Sequence, residues 1–519
     1  MKIRYLLSAL SACLLVLSFP DFNLGLFAWV ALIPLFFALD GEKPQAAFLI
    51  AYLAGAIFFL GTIYWLIHVT FPGMIVVVLY LGLYFGCFGA ITAYILRTRS
   101  SVALLVVPAL WVALEWVRAH LLTGFGWVLL GHSQAAHLTV IQIADITGAY
   151  GVSFLVALVN LAIFLTLKSM KAREYKVIYL MVALTLVFLV SAYGVMRLRS
   201  VFTGERLRVA VIQGNIPQTE KWDRKFREGI LEKYNKLTRE AAKERPGLVI
   251  WPETSVPAFL ELEKDVSDRI RDLARTIRAP ILVGAPSEDM KAQGTLYNSA
   301  VLFGEDGMYI GQYNKVHLVP FGEYVPFKRV LSFVERFAPS PIGDFSSGKD
   351  FTVLSFVMAR RFDGGGTRWK LMKKVRFSCL ICFEDIFPEL ARRFVRSGAN
   401  FLVNITNDAW FKRSSAPYQH AESSVFRAVE NRVSVVRAAN TGYSCFIDQK
   451  GEITASVGAG GRHIFVDGFK VHDIILSRAK TLYNKYGDVF AYACICIALV
   501  YLFGAIIAIE RTATSELIS

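Results

Sequence analysis

FSCLICFEDIFPEL, residues 377–390, is an apolar run that gives way at Cys382 to an acidic segment closed by a proline. With the preceding Lys374-Val375-Arg376 it predicts a strand over 374–384 that ends in a loop. Residues three apart on a strand point to opposite faces, so Cys379 and Cys382 are aimed away from each other and are poorly placed for a disulfide or a shared metal. A zinc site would need a further Cys or His pair at suitable spacing, whereas the histidines are scattered, as at His317 and His420. Neither a metal nor a cofactor is expected. What remains is a single thiol at the mouth of a strand: Cys382 is displayed where strand gives way to loop, and Cys379 reads as core. Glu384, two residues on, lies on the same side as Cys382.

The surrounding region, about 200–485, has the same texture of short apolar strands and amphipathic helices, the pattern of an α/β domain. Strands are predicted at 207–215, 248–253, 280–286, 298–303, 308–314, 400–407 and within a hairpin at 444–456. Asp306-Gly307 and Gln449-Lys450-Gly451 supply hairpin turns. Helices are predicted near 221–243, 262–277, 387–397 and 417–434, and a further hairpin at 352–374 carries the glycine-rich tip Asp363–Gly366. Hairpins among βα units imply a sheet of mixed direction with helices on at least one face.

Two other strand ends bear on Cys382. In LVIWPETSVP (248–257) a strand presents Glu253, and in YNKVHLVPFGEYVP (313–326) a strand ends at Lys315. Alone, each has an ordinary reading: a helix cap or surface charge for the glutamate, a solvated hairpin residue for the lysine. Together, three strand ends in one sheet would bring a carboxylate, an ammonium and a thiol to one edge. That trio is coherent for acyl transfer: the ammonium favours thiolate, the carboxylate takes the proton, and the lysine serves the oxyanion.

Outside this region the chain belongs to another solvent. Overall it is 55% hydrophobic and 19% charged, too apolar for an ordinary soluble protein. Seven spans are predicted, at roughly 4–20, 24–40, 46–66, 73–96, 102–119, 149–168 and 177–197, with an eighth at about 488–509. Lys and Arg fall in alternate connections: Lys2 and Arg4, Lys43, Arg97 and Arg99, then Lys168, Lys171, Arg173 and Lys176. By the positive-inside rule the amino terminus is cytoplasmic and the middle region is extracytoplasmic. Three parts follow: a membrane domain (1–199), a catalytic domain (200–485), and a last span with a short tail (486–519). The net charge of +15 implies attraction to anionic lipid, and no motif points to nucleic acid. Cys13, Cys87, Cys494 and Cys496 fall in the spans, where cysteine is usually a small buried hydrophobe. Leu10-Ser11-Ala12-Cys13 has the form of a lipoprotein signal, a pattern that apolar spans generate by chance, and is read as span.

WPET, NKVHLVPFGEYVP and ICFED, followed by NITNDAWF and RAANTG, resemble in order the Glu-Lys-Cys pattern of the nitrilase superfamily. With seven spans before and one after, the chain is similar end to end to the apolipoprotein N-acyltransferase family. The resemblance implies an αββα nitrilase-like sandwich on the periplasmic side of the bacterial inner membrane. It implies Glu253 as general base, Lys315 as oxyanion stabiliser and Cys382 as the nucleophile that takes an acyl chain from a phospholipid as a thioester. The acyl group then passes, by a ping-pong mechanism, to the α-amine of a diacylglyceryl-cysteine on an apolipoprotein. Glu323 and Glu384 match supporting acids, and Trp222 matches a tryptophan before the first helix of the domain. Phe383 departs from the tyrosine common after the nucleophile, so a phenolic role there is lost while a packing role survives. The chain is expected to act as a monomer.

Two further expectations concern lipid. The run 316–339 places Phe321, Phe327 and Phe333 among Lys328, Arg329 and Arg336, as a lid against the outer leaflet would, with ordinary core packing of those aromatics as the equal alternative. Glu115 and Arg118, three apart in the fifth span, are placed to pair. The competing readings are a membrane-tethered amidase with the same triad, and a transporter or scaffold with an idle outer domain.

Overall fold

In the region 200–485 the predicted alternation becomes two six-stranded sheets, ordered β12-β1-β2-β3-β4-β5 and β11-β10-β9-β8-β7-β6. The computed structural model describes residues 2–98, 102–174, 176–289, 294–324, 345–361, 369–477 and 480–518. Strands of the first sheet are β1 (Glu205–Gln213), β2 (Leu248–Ile250), β3 (Ile281–Glu288), β4 (Leu296–Phe303) and β5 (Tyr309–Asn314), with β12 (Gly468–Leu476) antiparallel to β1. The second sheet holds β6 (Leu354–Arg361), β7 (Trp369–Ile381), β8 (Phe401–Thr406), β9 (Ser434–Ala439), β10 (Cys445–Ile447) and β11 (Ile453–Ser456). Each sheet centres on a parallel triplet, β1-β2-β3 or β7-β8-β9, flanked by antiparallel strands.

Residues 209–213 of β1 are all buried, as a strand covered on both faces requires. Ala210 and Ile212 join Val249, Ile281 and Val283 against an outer layer of two helices, Arg224–Ala242 and Lys264–Ile277. The second of these repeats its apolar residues at Val266, Ile270, Leu273 and Ala274, one helical stripe. On the other sheet, Pro388–Arg396 packs on β7 and Ala416–Asn431 on β9. Strand β1 faces β9 and β4 faces β7, so the layers are helix, sheet, sheet, helix. This is the αββα sandwich expected of a nitrilase-like domain.

Two strands, β9 and β12, were not among the predicted ones. The charged residues Lys470, His472 and Asp473 interrupt the apolar signal of β12, and Arg437 that of β9, although Ser434–Ala439 is buried throughout. The predicted helix at 417–434 stops at Asn431, where Arg432 takes a left-handed φ of 51° and releases the chain into β9. Strand β7 stops at Ile381 rather than 384.

The chain divides into two compact units, 1–67 with 71–199 and 486–519, and 68–70 with 200–485. In the first, six helices among the described residues are long and apolar enough to cross a membrane: Pro44–Thr62, Phe71–Thr98, Ala103–Thr123, Ala149–Lys171, Ile178–Arg199 and Val489–Ile507. The first two predicted spans are not single helices of bilayer length. Lys2–Leu17 is a 16-residue helix, roughly 24 Å at 1.5 Å per residue, and Pro20, which lacks an N–H, does not extend it. The 24–40 span is broken into Gly25–Phe27, Ala28–Ala31 and Ile33–Leu39. A break in an apolar solvent requires partners for its backbone groups. Buried Asn160 supplies them, donating to the Ala28 carbonyl at 2.8 Å and accepting from Leu32 N–H at 2.8 Å. Gln134 donates to the Gly25 carbonyl and Ser11 to that of Ala31.

The charges of Glu115 and Arg118 act on each other, and each has hydrogen-bond partners of its own. The Glu115 carboxylate accepts from Trp111 Nε1 and Leu130 N–H. Arg118 donates to the Trp127 carbonyl and lies 5.3 Å over the Phe59 ring.

Candidate active site

The three strand ends singled out by the sequence lie on both sheets, not on one. Glu253 follows β2 and Lys315 follows β5 in the first sheet, whereas Cys382 follows β7 in the second. The centre therefore forms between the two inner faces of the sandwich. This correction follows from the length of β7 and its pairing with β8, which place it in the second sheet.

Cys382 is set by a strained turn. Strand β7 is buried to Ile381, then Cys382 adopts φ 54° and opens a single 3₁₀ turn, Cys382–Ile386. A non-glycine residue in this region costs on the order of 1–3 kcal/mol and persists only when its surroundings over-determine it. They do so here: Asn404 Nδ2, from β8, donates to the Cys382 carbonyl at 3.0 Å, and His420 Nε2 lies 3.1 Å from the same oxygen. Glu384 closes the turn by accepting from Ile381 N–H at 2.7 Å. The thiol hydrogen-bonds to Thr406 and is acted on by Glu253, Lys315 and Asp408.

Its ionisation departs from the sequence expectation. Burial and the Glu253 charge push the Cys382 thiol well above its ordinary value, and Lys315 only partly offsets them. The reason is that Lys315 is already engaged. Its fully buried Nζ lies 2.8 Å from Glu323 Oε2 and 3.7 Å from Glu253 Oε1. Burial alone would lower the Lys315 ammonium, but Glu323 and Glu253 outweigh it and hold it above its ordinary range.

Asn298, on β4, ties the two acids together. Its Nδ2 donates to Glu253 Oε1 at 2.7 Å and to Glu323 Oε1 at 2.8 Å, and its carbonyl accepts from Lys315 N–H at 2.8 Å. Glu323 Oε2 also accepts from Val319 N–H at 2.8 Å. A Gly284 Cβ would fall 2.4 Å from the Pro252 carbonyl and 2.7 Å from Glu253 Cα, so β3 approaches the Glu253 loop as only glycine allows.

Glu384 is not beside the thiol as strand alternation predicts, because the strand has ended. Its Oε1 accepts from Tyr313 Oη, Val316 N–H and His317 N–H at 2.7, 2.8 and 3.0 Å, clamping the chain on either side of Lys315 to the Cys382 turn. Burial nonetheless pushes its carboxyl up to about 7 against those donors. Phe383 packs with Phe387, ring centroids 5.3 Å apart, and with His317 at 6.3 Å. Trp222 is 52% exposed and stands at the surface. Of the run 316–339, residues 325–339 lie outside the described residues, as does the tip 363–366.

Behind Cys382 lies a buried polar layer that sequence reading missed. His420 sits between Asp385 Oδ1, 2.8 Å from Nε2, and Asp408 Oδ1, 3.1 Å from Nδ1. Burial pulls its imidazole down, but Asp385 and Asp408 win over burial and Arg437, and it is pushed up to about 9. The two carboxylates favour its charged form, and its Nε2 faces both Asp385 and the Cys382 carbonyl. Ser424 and Arg437 complete the Asp385 shell. In sequence these residues are isolated; only RAANTG and NITNDAWF marked their neighbourhoods.

Residues 11–162 match the apolipoprotein N-acyltransferase N-terminal domain, and residues 208–474 match the carbon-nitrogen hydrolase domain. The chain is 42% identical to an apolipoprotein N-acyltransferase of Geobacter metallireducens over 96% of this chain and 94% of that one. The chain belongs to the apolipoprotein N-acyltransferase family. A second member, from Chlorobaculum tepidum, is 32% identical over 95% of each chain. Among solved structures, Saccharomyces cerevisiae Nit3, of branch 10 of the nitrilase superfamily, is 20% identical over 52% of this chain and 90% of that one, with a TM-score of 0.36. Membership of the acyltransferase family makes the chain an enzyme, built as a catalytic carbon-nitrogen hydrolase domain joined to membrane helices. In this chain the Cys382 thiol, the Glu253 carboxylate and the Lys315 ammonium stand just after β7, β2 and β5.

Proposed function

We propose that this enzyme moves a fatty acyl chain from a phospholipid, through a thioester on Cys382, to the α-amine of the N-terminal diacylglyceryl-cysteine of apolipoproteins. The observation that carries the reading is the Cys382 thiol on which both Glu253 and Lys315 act, in a chain whose other unit is a set of apolar helices. A thiol held protonated calls for a base acting during attack. Glu253 takes the proton as sulfur attacks the ester carbonyl, and the oxyanion forms beside Lys315. Collapse breaks the C–O bond, the proton passes from Glu253 to the departing alcohol oxygen, and a lysophospholipid leaves. In the second half, the acceptor amine attacks the thioester and loses its proton to Glu253. The C–S bond breaks, an amide forms, and the thiol regains the proton. Asn298 and Glu323 support the reading by fixing Glu253 and Lys315 before substrate enters.

The basic residues near the helices favour an orientation with residues 200–485 on the periplasmic face of the inner membrane. The donor is then a lipid of that membrane, the acceptor a membrane-bound lipoprotein precursor, and the enzyme works as a monomer. Intact-mass measurement after incubation with phospholipid tests the chemistry. Wild type should gain one acyl chain that a diacylated lipopeptide removes, and Cys382→Ala should gain none. Hydrolysis of the adduct without transfer would sink the acyltransferase reading in favour of an amidase-like one.

A further inference from the structure

Lys221 is a charged group of the site that the mechanism above does not use. It ends the short helix Gln218–Lys221 and is 2% exposed, while its neighbour Trp222 stands at the surface. Its Nζ donates to the backbone carbonyl of Glu253 at 2.9 Å. Both the Glu253 carboxylate and the Cys382 thiol act on its charge. An ammonium carries three N–H donors, and a buried charge is costly unless countercharges surround it.

The charge balance of the pocket supplies a reason for it to be there. Glu253 and Glu323 stand against Lys315, which leaves one negative charge in excess beside the sulfur, and Glu253 is among the groups that raise the thiol. Moving negative charge onto sulfur, or onto a carbonyl oxygen attached to it, adds to that excess. A second cation at Lys221 cancels it.

We propose that Lys221 is a positioning residue for acyl transfer, holding the Glu253 loop by its carbonyl and, while protonated, lowering the free energy of negative charge on Cys382. The inference rests on the functional reading above. Burial lowers the Lys221 ammonium to about 7, against the opposing pull of Glu253 and Cys382, so its charge is adjustable near neutrality. The charged or titratable groups that act on it are Glu253 and Cys382, and Lys315, Glu323 and Asp408 act in turn within that cluster.

The test is the pH dependence of Cys382 alkylation by iodoacetamide in the full-length, detergent-solubilised enzyme. Peptide mass spectrometry reads the site and Cys382→Ala serves as blank. Removing an opposite charge from beside an ionising group shifts it by about one unit or more. Lys221→Met keeps the stem without the charge, and Lys221→Gln keeps a donor without the charge. Both should alkylate about tenfold more slowly than wild type at pH 6, where Lys221 is protonated, and the profiles should converge above about pH 8, where wild type has lost that charge. Lys221→Arg should restore the rate, and melting temperatures identify any variant whose fold is disturbed. Met and Gln profiles superimposed on that of wild type would overturn the proposal, since a merely structural lysine would leave the thiol titration where it is. Failure of phospholipid to acylate wild-type Cys382 would instead overturn the functional reading, while the alkylation profiles still decide the role of Lys221.

Discussion

At the scale of the residue, the site turns on how few contacts each reacting group has to spare. Glu253 is tied through one oxygen to Asn298 and faces Lys315. Replacing Glu253 by Gln should lower kcat/KM for a phospholipid donor by about 10²–10⁴, the usual range for a general base. Lys315→Met should cost about 10²–10³ in kcat, as loss of an oxyanion donor does elsewhere. It should also lower stability by leaving buried Glu253 and half-buried Glu323 without that cation. Asn298→Leu removes two hydrogen bonds from the acids without touching the reacting atoms. Its expected signature is a fall in kcat larger than any rise in KM, read by steady-state kinetics.

Elements decide how these residues are held. Glu384 links the turn after β7 to the segment after β5, and its carboxyl is raised from an ordinary 4.5 to about 7 chiefly by burial. Between those values the folded chain keeps a proton that the unfolded chain has released. Its contribution to stability is therefore complete below pH 4.5 and is lost as pH rises through 7. Glu384→Gln should lower the melting temperature and flatten its fall over that window; an unchanged slope would remove Glu384 as the cause. His420 fastens the helix Ala416–Asn431 to the Cys382 turn. His420→Ala takes the cation from buried Asp408 and leaves Asp385 with Arg437 alone, a loss on the order of 3–5 kcal/mol, to be read as a lowered melting temperature. Neither link was legible beforehand. Strand alternation placed Glu384 next to the thiol, because nothing local announces that β7 ends at Ile381, and His420 looked solitary because its partners lie 12 and 35 positions upstream, at Asp408 and Asp385.

For the whole molecule, the division into a helical unit and a sandwich carries a prediction about sidedness. If residues 200–485 face the periplasm, Glu232→Cys, on an exposed face of the helix Arg224–Ala242, should react with a membrane-impermeant maleimide in spheroplasts. Lys171→Cys, exposed at the end of Ala149–Lys171, should react only after the membrane is opened. The reverse pattern would invert the orientation. The spans themselves were mostly legible, since a bilayer needs long uninterrupted apolar runs. The broken segment 24–40 was not, because its apolar composition is that of a span, and the partners that satisfy its backbone, Asn160 and Gln134, lie over a hundred residues away.

The sequence by itself determined the class of the chain, the order of its strands along most of the sandwich, and the three residue types that end β2, β5 and β7. Those follow from local periodicity and composition, which a linear reading can see. The tertiary structure alone decided that the three ends belong to two facing sheets, and that Cys382 is displayed by a left-handed turn held from Asn404 and His420. It also decided that Lys315 is partnered by Glu323 and that Asn298 and Lys221 join the site. Each of these depends on burial and on contacts between distant segments, and burial is what raises the thiol and lowers the second lysine.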